Sequence, residues 1–293
     1  MLHEHRVLTV AQVAELAFDS VSSAQYRLVV LYRHRVVDRF RPFRPTGSAP
    51  FHYVLGSGGA ALLAQERGID VKDLHVRRDK LLGLERSQRL SHLVAMNGFF
   101  TALAATARRC APDAALGAWW SEARCAAAWG EHVRPDGYGR WQHAGTTVAF
   151  FLECDRGSEP HDRLAAKLDA YRNLREATGA FRAYSTEATA ILLWFHSSQR
   201  EAVFHQHIRP GGLTVATAVA GIGEAAGPVW RRAGDPPAHR LALTVAAHIP
   251  AADTLIDPDR QDAAWRVGYT IDDARETAID PTWPPPDHHP NAW

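Results

Sequence analysis

Pro135-Asp136-Gly137 and Thr146-Thr147-Val148-Ala149-Phe150-Phe151-Leu152-Glu153-Cys154-Asp155-Arg156-Gly157 are the two stretches on which the fold of this chain turns. Thr146 to Cys154 is apolar, β-branched and aromatic, the pattern of a strand covered on both faces. Side chains alternate along a strand, so Glu153 and Asp155 leave one face at one end. Asp136 stands 17 positions before Glu153, room for one strand and one turn. A hairpin returns it to the same neighbourhood. Three carboxylates converging at a strand end make a hard-oxygen site suited to Mg²⁺. The plainer reading is an ordinary Pro-Asp-Gly turn and carboxylates that merely mark a strand end.

Working outward, Leu116 to Trp129 reads as a helix carrying Trp119, Trp120 and Glu122. Glu122 is a candidate fourth acid, against the reading of a solvated helical Glu. After the Glu-x-Asp strand, Ser158-Glu159-Pro160 opens a helix with Pro near its first turn. Leu164, Leu168 and Tyr171 share one face of it, and Arg163 and Lys167 another. Strands are expected over 188–195 and 213–220, with a helix over 199–207 between them. The whole reads as an α/β sandwich. His205-x-His207 is discarded as a metal pair, because i and i+2 do not share a helix face. Pro-Asp, a strand ending in Glu-x-Asp, then a helix resembles the core of the PD-(D/E)xK nuclease-like fold. That fold places a Lys two residues after the Glu. Here Asp155 stands there, so the cation must come from Arg156 or from Lys167, about three turns into the helix.

The 293 residues are enough for two modest domains. The net charge of +1 hides an asymmetry. Residues 1–112 hold sixteen Lys and Arg against nine Asp and Glu; the rest of the chain is net acidic. A basic front suggests a nucleic-acid contact. Cys110, Cys125 and Cys154 lack C-x-x-C spacing and read as free thiols in a reducing compartment. No signal core and no apolar run near ~18 residues is seen, so a cytoplasmic protein outside the membrane is expected.

Thr9-Val10-Ala11-Gln12 is a capping-box pattern that opens a first helix. Ser22-Ser23-Ala24-Gln25 repeats it and opens a second, running to about His34. Val36 to Phe40 and Phe51 to Leu55 read as strands of a hairpin around a basic, Pro-rich loop, with a third helix over 60–67. This is the sequence pattern of a winged helix-turn-helix. Across residues 20–52, Arg27, Arg33, Arg35, Arg39, Arg41 and Arg44 face one acid, Asp38. Such a stripe suits phosphate neutralisation. Gln25, Tyr26 and Arg27 stand where base-edge readers sit. The alternative use of this element is packing or dimerisation.

The expected organisation is α+β. A winged domain spans 1–70, and a charged connector with a long helix spans 71–112. A restriction-endonuclease-like α/β domain follows over 113–245, then an irregular, partly disordered tail over 246–293. The front segments Leu8 to Gln12 and Leu31 to Phe40 precede the Pro135-Asp136-Gly137 and Phe151 to Glu159 pair, and Lys167-Leu168-x-x-Tyr171 follows. Together they resemble the replication-relaxation family of actinobacterial plasmids and mobile elements. The resemblance covers roughly residues 5–245. It implies a role in plasmid replication, DNA relaxation or mobilisation, with double-stranded DNA as partner and a relaxase or replication protein alongside. Three readings follow. One is a DNA-binding accessory protein. Another is a Mg²⁺-dependent endonuclease or nickase using Asp136, Glu153, Asp155 and Lys167. The last is a winged-helix transcription regulator.

Overall fold

The computed structural model describes residues 1–44, 46–74, 76, 81, 83–87, 89–157, 161–178 and 189–249. The tail expected to be irregular therefore lies, from residue 250 on, outside the described residues. The architecture is mixed α+β. It divides into two compact units, whose described residues fall within 1–105 and 106–249.

In the first unit a short α1 (Leu2–His5) leads into β1 (Leu8–Thr9) and α2 (Val10–Ala17). The Thr9 capping box with Gln12 forms as the spacing predicts. α3 (Val21–Arg33) starts earlier than expected. Ser20 rather than Ser22 is its cap, its Oγ accepting the Ser23 N–H. Two serines fit the pattern, and the extended backbone at Ser20 takes the role, leaving Ser22 inside the helix. β2 (Val37–Phe40) and β3 (His52–Leu55) complete an antiparallel sheet of order β1-β3-β2. α4 (Ser57–Glu66) then packs directly on the backbone before β2. A Cβ at Gly59 would lie 2.2 Å from the Val36 carbonyl oxygen, and one at Gly56 2.3 Å from that of Arg35. Only glycine permits so close an approach.

The long helix α5 (Leu90–Arg109) spans the residues expected of it. Leu90, Leu93 and Val94 join Val7, Phe40 and Val54 in one apolar cluster. Asn97 Nδ2 donates to the carbonyls of His5 and Val7, and Gln12 Nε2 to that of Val94 at 2.7 Å. These buried amides satisfy backbone acceptors that would otherwise cost about 1–3 kcal/mol each. Contrary to the sequence reading, α5 is long and apolar enough to cross a membrane. Half of it is nonetheless buried inside the protein, as in a core helix.

In the second unit β4 (Ala114–Ser121), β5 (Gly137–His143), β6 (Thr146–Asp155), β7 (Thr189–Phe195), β8 (Val215–Val219) and β9 (Arg231–Arg232) form one six-stranded sheet in that order. The helix expected over 116–129 is wrong in its first half. Residues up to Ser121 are strand, and only α6 (Glu122–Trp129) is helical. Buried Ala114, Leu116 and Ala118 alternate with exposed Ala115 and Gly117, as on a pleated strand, and the Trp pair suits that surface.

β5 and β6 form the expected hairpin, turning at Ala144 and Gly145, both with positive φ. Gly137 pairs with Leu152, which sets Asp136 beside the end of β6. β6, β7 and β8 run parallel, connected through α7 (His161–Thr178) and α8 (Ser198–His207). Phe151, Ile191, Leu193 and Phe195 form a buried core with Leu164, Leu168 and Tyr171 of α7 and Phe204 of α8. Both helices therefore cover the sheet face from which Glu153 and Asp155 project. A last helix, α9 (Leu243–Ala246), follows β9.

Candidate functional site

The hairpin register and the α7 crossover meet at one point. Asp136 Oδ2 accepts the Cys154 N–H at 2.8 Å, locking the residue before β5 to the end of β6. Glu153 is buried, and α7 reaches it with two side chains one turn apart. Lys167 Nζ forms an ion pair with Glu153 Oε2 and lies 3.6 Å from Asp136 Oδ1. The Tyr171 hydroxyl donates to Glu153 Oε1 at 2.5 Å. Lys167 thus places a cation beside both carboxylates. Its side chain is 25% exposed and that of Asp136 16%, against 4% for Glu153. Solvent meets the lysine and the aspartate, with the glutamate behind them.

Burial pushes the Glu153 carboxyl up to about 8, against the pull of Lys167 and with a further push from Asp136. The Tyr171 hydroxyl is driven well above its ordinary value by burial and by Glu153. Burial raises the Cys154 thiol to about 12, so it is no nucleophile.

Asp155 leaves the same face but finds a different partner. Arg200 of α8 binds it through Nε and Nη2, and Asp155 Oδ1 also accepts the Gly157 N–H at 2.9 Å. Glu122 is exposed in the first turn of α6. The structure therefore brings Asp136, Glu153 and Lys167 together, with Asp155 on Arg200 and Glu122 at the surface. Among the described residues no group of three or more His, Cys, Asp and Glu side chains is arranged to hold a metal ion. The position between Asp136 and Glu153 is taken by the Lys167 ammonium.

A family model for replication-relaxation proteins matches residues 1–191, about two thirds of the chain. The chain belongs to the replication-relaxation family. No curated protein and no solved structure matches it. The family match takes in the first unit and all of Asp136, Glu153, Asp155, Lys167 and Tyr171. Arg200 and the rest of α8 lie beyond it.

The first unit of this replication-relaxation protein carries the other candidate residues. Gln25 and Tyr26 are exposed on α3, with Arg27 half-buried beside them. Arg33, Arg35, Arg41 and Arg44 are exposed, and among the described residues none of these four forms an ion pair. Arg39 is stacked between the rings of Tyr32 and Phe51, 4.4 and 4.0 Å from their centroids, and Arg41 lies 3.8 Å over Phe51.

Sequence reasoning missed a third cluster. Glu201 of α8 is buried, bound by Arg240 through two nitrogens and by the Thr217 hydroxyl at 2.6 Å. Burial would raise its carboxyl, but the hydrogen bonds from Arg240 and Thr217 outweigh it and hold the group below its usual range. His205 Nε2 lies 2.7 Å from Thr217 Oγ1, and burial with nearby Arg231 pulls the imidazole down to about 4. His207 bonds the Val203 carbonyl, so the His-x-His pair is split as expected. Residues 201, 217 and 240 carry no periodic signal linking them; Arg240 reads in sequence as one more loop arginine.

Proposed function

We propose that this protein binds duplex DNA in the replication, relaxation or mobilisation of a plasmid or mobile element. Its first unit acts as a winged helix-turn-helix. The order β1-α2-α3-β2-β3 with a three-stranded sheet supports that reading, with α3 as the reading helix and residues 41–51 as the wing. The observation that carries it is the set of exposed arginines at the end of α3 (Arg33), in the turn after it (Arg35) and on the wing (Arg41, Arg44), with no acidic partner among the described residues. Guanidinium groups without a carboxylate partner suit phosphate contacts. Titration of labelled duplex at several salt concentrations tests it. Log affinity should fall linearly with log salt, and Arg33→Ala with Arg35→Ala should lower the slope by about 0.9 for each phosphate no longer neutralised. Affinity and slope unchanged in a folded double variant would remove α3 and the turn after it from the interface.

A second reading has one observation in its favour. Lys167 points between Asp136 and Glu153, the place from which a nuclease-like site needs its cation. The second unit then acts as a Mg²⁺-dependent nickase on DNA delivered by the first. Asp136 and Glu153 would hold the ion, and Lys167 would turn its charge to the phosphate. Asp155, held by Arg200, would take no part in ligation. The donor set fits the ion only if Lys167 moves aside, and for that reason DNA binding without cleavage is the main conclusion. Supercoiled plasmid incubated with and without Mg²⁺ distinguishes the two. Metal-dependent nicking lost in Glu153→Gln establishes the second reading, and an unchanged plasmid leaves the first.

A further inference from the structure

The wing carries a side chain that phosphate binding does not explain. Phe43 is 88% exposed, more than any other large apolar residue described. It stands between exposed Arg41 and Arg44. Arg39 and Arg41 lie over the ring of Phe51, at 4.0 and 3.8 Å. An aromatic ring held out between two cations matches the surface of a nucleic acid, where phosphates flank the apolar faces of stacked bases.

We propose that Phe43 is a DNA wedge. Once Arg41 and Arg44 engage the backbone, its ring enters a base step from the groove, partly unstacking and unwinding the duplex there. This rests on the DNA-binding reading and adds a local deformation to it. Side chains of this kind kink a duplex by about 20–90°.

The test needs no knowledge of the recognised sequence. Closed circular plasmid is relaxed by a magnesium-independent type I topoisomerase, in chelator, with increasing amounts of the protein. It is then stripped of protein and its topoisomers are resolved. Wild type should shift the distribution to lower linking number. Phe43→Ala should abolish most of that shift and weaken binding about tenfold. It should leave the salt slope as in wild type, because no charge is removed. Phe43→Leu, still an apolar wedge, should keep the shift. Wild type that binds plasmid without changing its linking number would overturn the wedge alone, as would a Phe43→Ala shift equal to wild type. Wild type that fails to bind plasmid would overturn the DNA reading and the wedge with it.

Discussion

The two units use the same kind of side chain in opposite ways. In the first, Arg33, Arg35, Arg41 and Arg44 are exposed and form no ion pair among the described residues. In the second, Lys167, Arg200 and Arg240 turn inward, each onto a buried carboxylate: Glu153, Asp155 and Glu201. An exposed cation contributes little to folding and stays available for a ligand. A cation over a buried acid removes a desolvation cost, and losing it strands a charge. The basic front seen in the sequence is therefore a surface property, while the acidic back half conceals an internal charge balance.

Stability measurements should separate these roles most sharply. Arg240→Ala removes the hydrogen bonds and the charge that hold Glu201 ionised below its ordinary range, leaving a buried carboxyl that must stay charged without its partner or be protonated at a cost. Loss of about 3–5 kcal/mol is expected, on the order of 10 °C in Tm. Lys167→Ala should cost less, about 2 kcal/mol. Burial has already brought Glu153 to about 8, so at pH 7 its carboxyl is mostly protonated and loss of Lys167 strands little charge. Thermal and urea unfolding of both variants at pH 7 check the ranking. A Lys167→Ala loss equal to or above that of Arg240→Ala would show that the two carboxylates are held alike.

The outward arginines should give the reverse pattern. Arg33→Ala with Arg35→Ala should change stability by less than about 0.5 kcal/mol. Duplex affinity should nonetheless drop about tenfold or more at moderate salt. A Tm loss of several degrees would break the comparison, showing that these side chains serve the fold.

Local patterns were legible in the sequence wherever one element carried the whole signal. Thr9 with Gln12, the stripe of Leu90–Arg109 and the Asp136–Glu153 hairpin all follow from short-range rules, and all form. The 116–129 error arose because an Ala- and Trp-rich run satisfies helix and strand alike. Pairing of Trp119 with Gly139 across β5, a contact between elements, decided it. The site was legible in part for the same reason. Asp136 and Glu153 belong to one hairpin, and Lys167 is carried back by the next crossover. The partner of Asp155 comes from a helix 45 residues away, and nothing in the spacing of Asp155 and Arg200 announces the pair. Glu201, Thr217 and Arg240 likewise come from separate elements that only the parallel sheet brings together.

Stability should also depend on pH, where the two inner clusters pull in opposite directions. Glu153 rises from an ordinary 4.5 to about 8 on folding, so between those values the folded protein binds more protons than the unfolded chain. Stability from this group is full below pH 4.5 and is lost as pH rises through 8. His205 falls from 6.5 to about 4, so its contribution is present above pH 6.5 and is lost as pH drops through 4. Between 4.5 and 6.5 the two slopes oppose each other, while between 6.5 and 8 Glu153 acts without His205. Unfolding of wild type and Glu153→Gln should therefore be compared in that upper window. Wild type should lose about 1–2 kcal/mol more than the variant from pH 6.5 to 8, since one proton differentially bound is worth at most about 1.4 kcal/mol per pH unit. His205→Gln should leave that window unchanged and flatten the fall on the acid side. Parallel curves for wild type and Glu153→Gln would mean that Lys167 keeps Glu153 ionised throughout. The Asp136–Lys167–Glu153 cluster would then resemble the Arg240–Glu201 pair rather than contrast with it.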